Sequence, residues 1–244
     1  MQRDLKMGEN ESVGGGDVVE LVTSAQMRAI ERGEIDSGSV TGWALMSRAG
    51  HGCYDRIAYH FPEIRRALVL CGPGNNGGDG YVVVTDLAAA GVQVTVAVLG
   101  DPAKLPPDAA RARAEWEAVG ASVDLAALDP AKTLRSVDLV VDALFGIGLT
   151  RDLGGAARDW ALACAVEGAP PVVAVDIPSG LSGDDGAVLG TAFRADLTVT
   201  FHARKFGHVR GQGPAYCGEV EVVDIGLPTG SETGPETDAE TERL

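Results

Sequence analysis

Ten residues of the sequence combine glycines with side chains that can do chemistry. The segment CGPGNNGGDG, residues 71–80, directly follows an apolar run, and it carries two amides and a carboxyl group, Asn75, Asn76 and Asp79. A glycine-rich turn between a buried strand and a helix lets backbone N–H groups approach a phosphate, and the helix N-terminus adds positive potential. Because the three polar side chains exceed what a phosphate cradle requires, the segment predicts a site with further chemistry.

Two known phosphate-binding patterns can be compared with this turn. Gly72, Gly74 and Gly77 satisfy G-x-G-x-x-G, the dinucleotide-binding fingerprint. The P-loop pattern fails, since its lysine falls on Gly78 and its hydroxyl residue on Asp79, and we do not expect triphosphate hydrolysis. Asp79 has two interpretations: a first-turn helix carboxylate stabilised by the dipole, or a ligand contact, for example to a ribose hydroxyl.

Polar side chains also follow three other apolar runs. Asp142 and Asp176 each end a valine-rich run, and Lys205 comes shortly after the run 197–201. In open α/β sheets the carboxyl ends of the strands line the ligand crevice, so these side chains are expected to converge. Glycine backbones suit phosphates and carboxylates suit sugar hydroxyls. The convergence therefore predicts a small-molecule site of nucleotide size.

The elements that position these residues follow from the hydrophobic pattern. Helices are predicted to begin at a capping box at Thr23 and at Gly42, with later helices near 79–90, 107–119 and 153–167. Strands are predicted at 67–71, 92–99, 137–142, 171–175, 196–201 and 218–223. Strands that alternate with helices, and that show little polar alternation, predict a parallel, doubly wound sheet.

Composition excludes several classes of protein. The chain has 244 residues, enough to bury a full core, and a net charge of −15, which disfavours nucleic acid as a partner. No stretch reaches the roughly 18 apolar residues of a membrane span, and the polar N-terminus lacks the apolar core of a signal peptide. Four scattered cysteines without a C-x-x-C pair predict reduced, buried thiols. We therefore expect a cytoplasmic protein that binds no membrane.

Three segments are expected. Residues 1–20 are glycine-rich and acidic, and they predict a disordered leader. Residues 21–228 form the predicted domain. Residues 229–244 are polar and acidic, and they predict a second disordered end.

Several motifs in a fixed order resemble one family. CGPGNNGGDG, VVDALFGIGL, VAVDIPSGLSGDDG and the ending DIGLP are similar to the NAD(P)HX epimerase family, the YjeF N-terminal domain. VTSAQMRAIERG and ALMSRAG resemble the family's two leading helices, so the likeness covers about residues 21–228. It implies a Rossmann-like three-layer αβα fold with a mainly parallel sheet, and a homodimer.

The resemblance also implies a reaction. Hydration of a reduced nicotinamide ring gives NADHX or NADPHX, with a hydroxyl at C6, and the family interconverts the R and S epimers. A companion ATP- or ADP-dependent dehydratase repairs the S form. Inversion at this carbinolamine requires either loss and return of the hydroxyl through an iminium ion, or opening and closing of the ring. A group must move protons in either route. The chain is too short to include the dehydratase, which predicts a separate repair partner or a truncated fusion.

The family's site residues carry over by position. The resemblance places a potassium ion on Asn76, Asp142 and Ser179, whose oxygens suit an alkali cation. Asp176 is the preferred acid/base group, with Asp142 second because a metal-bound carboxylate carries protons poorly. Substrate contacts are implied at Asn75, Asn76, Gly77, Gly78, Asp79, Gly146, Ile147, Gly148, Leu149, Thr150, Arg151, Asp152 and Asp176, with Lys205 against a phosphate or the ring.

Alternatives remain open at this point. Asp142 and Asp176 could cap helices that follow them, Ser179 could be a turn residue, and Lys205 could be exposed and solvated. Ile147 stands where the family more often has threonine, and FHARKFGH is a looser match than the other motifs. Two other functions stay possible: a non-catalytic module that binds a nicotinamide nucleotide derivative, and an NAD-dependent dehydrogenase.

Overall fold

The computed structural model describes residues 21–228, so the terminal segments 1–20 and 229–244 lie outside the described residues and their disorder stays a prediction. The strands are β1 (Leu21–Val22), β2 (Arg66–Cys71), β3 (Gln93–Val98), β4 (Ser122–Asp124), β5 (Leu139–Ala143), β6 (Val172–Val175), β7 (Leu197–Phe201), β8 (Arg204–Lys205) and β9 (Glu219–Val223). The helices are α1 (Ser24–Asp36), α2 (Gly42–His60), α3 (Asn75–Ala89), α4 (Pro107–Glu117), α5 (Pro130–Leu134), α6 (Gly155–Cys164), α7 (Phe206–Val209) and α8 (Gly213–Tyr216).

Seven strands form one sheet in the order β4-β3-β2-β5-β6-β7-β9, and each neighbouring pair is parallel. The chain runs outward from β2 through β3 to β4 and then returns to β5 on the other side of β2. This reversal lies between β2 and β5. In open α/β sheets the ligand crevice lies at such a reversal, beyond the carboxyl ends of the strands. The predicted parallel sheet is confirmed.

Alternate residues of β2 enter two separate cores. Val69 packs in the cluster that holds residues of α1 to α4, including Met46 and Val83. Leu68 and Leu70 pack in the cluster on the other face, which contains residues of α5 and α6. Since side chains of a strand point alternately to opposite faces, helices must cover both faces of the sheet. The three-layer αβα architecture follows.

The helix starts explain part of the site's geometry. At α1 the predicted capping box is present: Thr23 Oγ1 accepts from the Gln26 N–H at 3.1 Å, and Gln26 Oε1 accepts from the Thr23 N–H at 2.8 Å. Helix α3 begins at Asn75, four residues before the predicted start, with Gly74 as an N-cap that has no side-chain cap. Asp79 therefore lies beyond the first turn, and its interpretation as a first-turn carboxylate is wrong.

Several short elements were not predicted. Two-residue strands β1 and β8 pair in parallel, as a small sheet of their own, and α5, α7 and α8 have five residues or fewer. Segments this short carry no periodicity to read. The four cysteines are free and buried, as predicted. Among the helices of residues 21–228, none combines the length and apolar character needed to cross a membrane.

Candidate functional site

Gly72 lets the loops after β2 and β5 pack backbone to backbone, and Gly77 lets the start of α3 pack against the turn that precedes it. A side chain at Gly72 would collide with the backbone of Leu144, and one at Gly77 would collide with the backbone of Gly72. Gly74 has nothing within 4 Å of where a side chain would begin. Gly72 thus allows close packing of the two loops and Gly77 close packing within the first of them, whereas Gly74 leaves the N–H groups at the start of α3 open to a ligand.

Asp142, at the carboxyl end of β5, holds the loop that follows β6. It is fully buried, and its Oδ1 accepts from Ser179 Oγ at 2.7 Å and its Oδ2 from the Ser179 N–H at 2.8 Å. Ser179 Oγ in turn accepts from the Phe145 N–H at 2.8 Å. Burial raises the pKa of Asp142 to about 6, although the hydrogen bonds from Ser179 and Leu144 oppose the rise. The pair joins the loops after β5 and β6.

Asp176 and Lys205 form a buried ion pair at the ends of β6 and β8. Lys205 Nζ lies 2.7 Å from Asp176 Oδ1 and also donates to Thr200 Oγ1 at 2.7 Å. Asp176 Oδ1 accepts from Thr200 Oγ1 at 3.2 Å, and Oδ2 accepts from the Ile147 N–H at 3.1 Å. Lys205 is 1% exposed, so its interpretation as a solvated lysine is wrong. Asp176 has φ +68°, a left-handed conformation that is uncommon outside glycine and marks functional or strained positions.

The charge of this pair follows from its partners. Burial alone would raise the pKa of Asp176, but the charge and hydrogen bond of Lys205, with His208 and the Ile147 N–H, hold it below its usual value. His208 accepts from the Lys205 N–H at 3.0 Å, and its other ring nitrogen lies 3.0 Å from the Asp176 carbonyl. Burial, followed by the charge of Lys205, lowers the pKa of His208 to about 4. Asp176 is therefore a carboxylate and His208 a neutral imidazole near pH 7.

No helix begins directly after either aspartate. Strand β5 ends at Ala143, and α6 begins only at Gly155. Strand β6 is followed by β7 before the next helix. The interpretation of Asp142 and Asp176 as helix caps is therefore wrong.

A cavity of about 420 Å³, the central cavity, opens at the carboxyl ends of β2, β5 and β6. Its polar lining comes from four parts of the chain: α1, the start of α3, the loop after β5, and the Asp176–Lys205 pair. It is lined by Met27, Arg28, Glu31, Pro73, Gly74, Asn75, Asn76, Asp79, Leu144, Phe145, Gly146, Ile147, Gly148, Leu149, Asp176, Phe201 and Lys205. Its volume lies in the range usual for small-molecule sites.

The site unites most, but not all, of the residues that the resemblance implied. Gly77 and Gly78 are buried in the packing of α3, and Thr150 is exposed outside the central cavity. Asp142 and Ser179 lie behind the wall rather than in it. Arg151 and Asp152 line a neighbouring outer cavity of about 410 Å³, which shares Pro73, Phe145 and Leu149 with the central one. The two cavities adjoin along these shared residues.

Helix α1 contributes residues that sequence reasoning missed. Glu31 and Arg28 line the central cavity, and Arg28 donates to the carbonyl of Ile147 at 2.9 Å. Burial, then the charge of Asp176, raises the pKa of Glu31, while Lys205 and Arg28 oppose the rise. Glu31 lies one helical turn beyond the buried Met27, on the same face of α1. That spacing was the available signal.

Asp79 stands between two cavities. It lines the central cavity and a smaller inner cavity of about 160 Å³, which also touches Glu31. Burial, then the negative charges of Asp176 and Glu31, raises the pKa of Asp79 well above its usual range, and Lys205 opposes the rise. The site thus holds a carboxylate at Asp176 and, at Asp79, a second carboxyl group whose pKa is raised.

Comparison with known proteins gives consistent matches. The family model described as YjeF-related protein N-terminus matches residues 42–207. The NAD(P)H-hydrate epimerase of Roseobacter litoralis is 40% identical over 228 residues, covering 85% of this chain and 99% of that protein. The NAD(P)H-hydrate epimerase of Rhodobacter capsulatus is 43% identical over 203 residues, covering 79% of this chain and 93% of that protein.

Two further comparisons concern chain length and fold. The bifunctional NAD(P)H-hydrate repair enzyme of Escherichia coli is 39% identical over 201 residues, covering 81% of this chain but only 38% of that protein. A crystal structure of the yeast protein ynu0 superposes with a TM-score of 0.70 at 19% identity, covering 88% of this chain and 97% of that one. At that identity the yeast structure supports the fold alone.

Proposed function

This chain belongs to the YjeF-related protein N-terminus family, and from that premise we propose that it is an NAD(P)H-hydrate epimerase. It is an isomerase that interconverts the R and S epimers at C6 of hydrated NADH and NADPH. The observation that carries the proposal is the 40% and 43% identity, over most of the chain, to epimerases of similar length. The position of the central cavity at the reversal of strand order supports it.

The two other functions have less support. A dehydrogenase would need a site for a second, hydride-exchanging substrate, whereas residues 21–228 form one sheet with its flanking helices and the small β1–β8 sheet. A binding module would share the fold, but it gives no reason for a buried lysine–carboxylate pair in the wall of the cavity. Charged groups held in this way are typical of catalytic sites.

The nicotinamide end of the substrate is assigned to the central cavity and the adenosine end to the outer cavity. The central cavity has the titratable groups, Asp79, Asp176 and Glu31. The outer cavity has Arg151 and the glycine-rich start of α6 at Gly154 and Gly155. Since a ring that becomes cationic favours carboxylates and phosphates favour cations and free N–H groups, the charges suit this orientation.

The two aspartates receive different roles. Asp176 lines the central cavity as a carboxylate, so it stabilises positive charge on the ring nitrogen and can accept a proton. Asp142 does not line the cavity, and its oxygens accept three hydrogen bonds from Ser179 and Leu144, which leaves a lone pair of Oδ2 for a further ligand. Asp142 therefore acts on the site through the loops that it joins.

Potassium is proposed as a resident ion on Asn76, Asp142 and Ser179. The chemistry of these residues fits, because they offer an amide, a carboxylate and a hydroxyl oxygen. Asn76 Nδ2 is buried and has no hydrogen-bond partner within residues 21–228, and a turned amide would put Oδ1 in its place as a ligand. Bound there, the ion would supply positive charge near the loop after β5 and so favour the anionic substrate.

Three further expectations remain proposals. A homodimer and a cytoplasmic location are proposed from the family resemblance and the composition. A functional partnership with an NAD(P)H-hydrate dehydratase is proposed, and the bifunctional repair enzyme of Escherichia coli, of which this chain matches 38%, is consistent with it.

The function is tested on purified R-NADHX by proton NMR or chiral-resolving chromatography. We expect the protein to accelerate R-to-S conversion above the spontaneous rate, and potassium to support a higher rate than sodium. Asp176→Asn is expected to lose most of the acceleration. A folded protein that binds NADHX without accelerating its epimerisation would support the binding module instead.

A further inference from the structure

We propose that Asp79 is a catalytic residue of the epimerisation, the acid that gives a proton to the hydroxyl leaving C6. This inference rests on the proposed epimerase function and names the group that must protonate the departing oxygen. It also selects between the two routes left open by the sequence, because an acid at the hydroxyl serves cleavage of the C6–O bond rather than opening of the ring.

Asp79 is the aspartate of the site that remains available for proton transfer. It lies on α3, half-buried, with its side chain between the central and inner cavities. Within residues 21–228 no hydrogen bond involves its carboxyl group, whereas the oxygens of Asp176 are engaged by Lys205, Thr200 and Ile147. Asp142 does not line the central cavity at all. Of the three aspartates, only Asp79 is both unengaged and accessible from this cavity.

The groups around Asp79 raise its pKa in the free enzyme. Glu31 from α1 and Asp176 from the end of β6 present negative charge, and Lys205 from β8 presents positive charge. The Cys53 thiol of α2 is buried nearby, and the charge of Asp79 contributes to raising the pKa of this thiol. Burial and the two negative groups outweigh Lys205, so the pKa of Asp79 rises. A raised pKa brings a carboxyl group closer to the pH at which it must deliver a proton, as general acid catalysis requires.

The step balances in atoms and charge. Asp79 transfers its proton to the C6 hydroxyl, the C6–O bond breaks with its electron pair on oxygen, and water leaves. The ring-nitrogen lone pair forms the C=N⁺ bond of the iminium ion, so the carboxylate appears on Asp79 as the cation appears on the ring. Water then adds to the opposite face of C6, its surplus proton passes to solvent, and Asp79 is reprotonated. No oxidant or reductant is required.

The test compares Asp79→Asn with a matched control, Asp108→Asn. Asp108 is also half-buried and lines the inner cavity, but it does not line the central one. On R-NADHX we expect Asp79→Asn to lower kcat by about 100-fold or more, with KM changed less than about threefold. The wild-type kcat should fall at high pH, where the acid loses its proton, and the residual kcat of Asp79→Asn should not show this fall. Asp108→Asn should keep the wild-type kcat and pH profile.

A second measurement uses the wild-type protein in H₂¹⁸O. Each inversion should place one atom of ¹⁸O at C6 above the spontaneous background, and Asp79→Asn should lose inversion and label together. If Asp79→Asn does not fold, Asp79→Ser is expected to give the same result, and the isotope experiment needs no variant. Inversion by the wild type without label, or an Asp79→Asn protein with near-normal kcat, would overturn the assignment. A wild-type protein that does not accelerate inversion would instead refute the epimerase function itself.

Discussion

Replacing Lys205 by methionine should destabilise the protein in a way that depends on pH. Methionine keeps most of the apolar stem but removes the ammonium group, which lies 2.7 Å from Asp176 Oδ1 and also donates to Thr200 and to the Phe201 carbonyl. Removal of one partner of a buried ion pair costs about 3–5 kcal/mol, because a buried charge is left unpaired. Asp176 still accepts from the Ile147 N–H and faces the cavity, so we expect about 3 kcal/mol, the lower end.

The sign of the pH dependence follows from Asp176. In the wild type its pKa is below the usual value, so its stabilising contribution is present near neutral pH and is lost only as pH falls through that low pKa. Without Lys205, burial dominates and the pKa of Asp176 rises above its unfolded value. The folded variant then takes up a proton at mildly acidic pH, and its loss of stability becomes smaller there than at high pH.

The assay is urea unfolding followed by far-UV circular dichroism at about pH 8 and about pH 5.5. Lys104→Met serves as a control, because the Lys104 side chain is 82% exposed and should cost less than about 0.5 kcal/mol. The double variant with Asp176→Asn should recover part of the loss, with a coupling energy of about 2 kcal/mol. A loss under about 0.5 kcal/mol that is equal at both pH values, with no coupling, would refute the reasoning.

Three further predictions concern the frame of the site. Gly72→Ala should lower the free energy of unfolding by several kcal/mol, or prevent folding, because its methyl group would collide with the Leu144 backbone. Gly74→Ala is the control: there is open space around it, so in the same urea titration it should lower the free energy of unfolding by less than about 1 kcal/mol. Ser179→Ala should lower the free energy of unfolding by about 2–4 kcal/mol, since both the Asp142 carboxylate and the Phe145 N–H lose a buried hydrogen-bond partner. A decrease below about 1 kcal/mol would contradict the buried network. His208 should remove about 3 kcal/mol from the free energy of unfolding between about pH 6.5 and about pH 4, because its pKa is about 4 in the folded protein and the unfolded chain binds the proton first. Burial raises the pKa of Asp142 to about 6, which acts in the opposite direction over this range, so the His208 contribution is measured as the difference between the wild type and His208→Gln. His208→Gln should be less stable near pH 7 but should show a smaller fall over this range, and equal slopes would count against the buried neutral imidazole.

The sequence predicted the sheet because its strands are buried on both faces. Val69 and its neighbours form an unbroken apolar run, and the polar residue that ends each run marks the carboxyl end of a strand, as at Asp142 and Asp176. The start of α3 was misplaced because Asn75, Asn76 and two glycines have low helix propensity. The close packing of Gly77 and Gly78 against other segments of the protein overrides this low propensity.

The remaining parts of the site depend on contacts that the sequence does not display. Lys205 is an ordinary surface residue by type, and its burial follows from Asp176, which is far away along the chain. Glu31 likewise gains its role only when α1 lies over the end of the sheet. Residues whose role depends on a distant partner are therefore harder to predict than those that end a strand.

The small sheet of β1 and β8 has a consequence for protein synthesis. Leu21 pairs with Arg204 and Val22 with Lys205, so strands from the two ends of the described chain meet beside the central cavity. During translation β1 leaves the ribosome among the first residues of the domain, but its partner is added only after β7 is complete. Contacts between such distant residues form late because the intervening loop must first be ordered. A nascent chain that ends before β8 therefore has most of its core but lacks Lys205, and the complete site forms only after β8 has been synthesised.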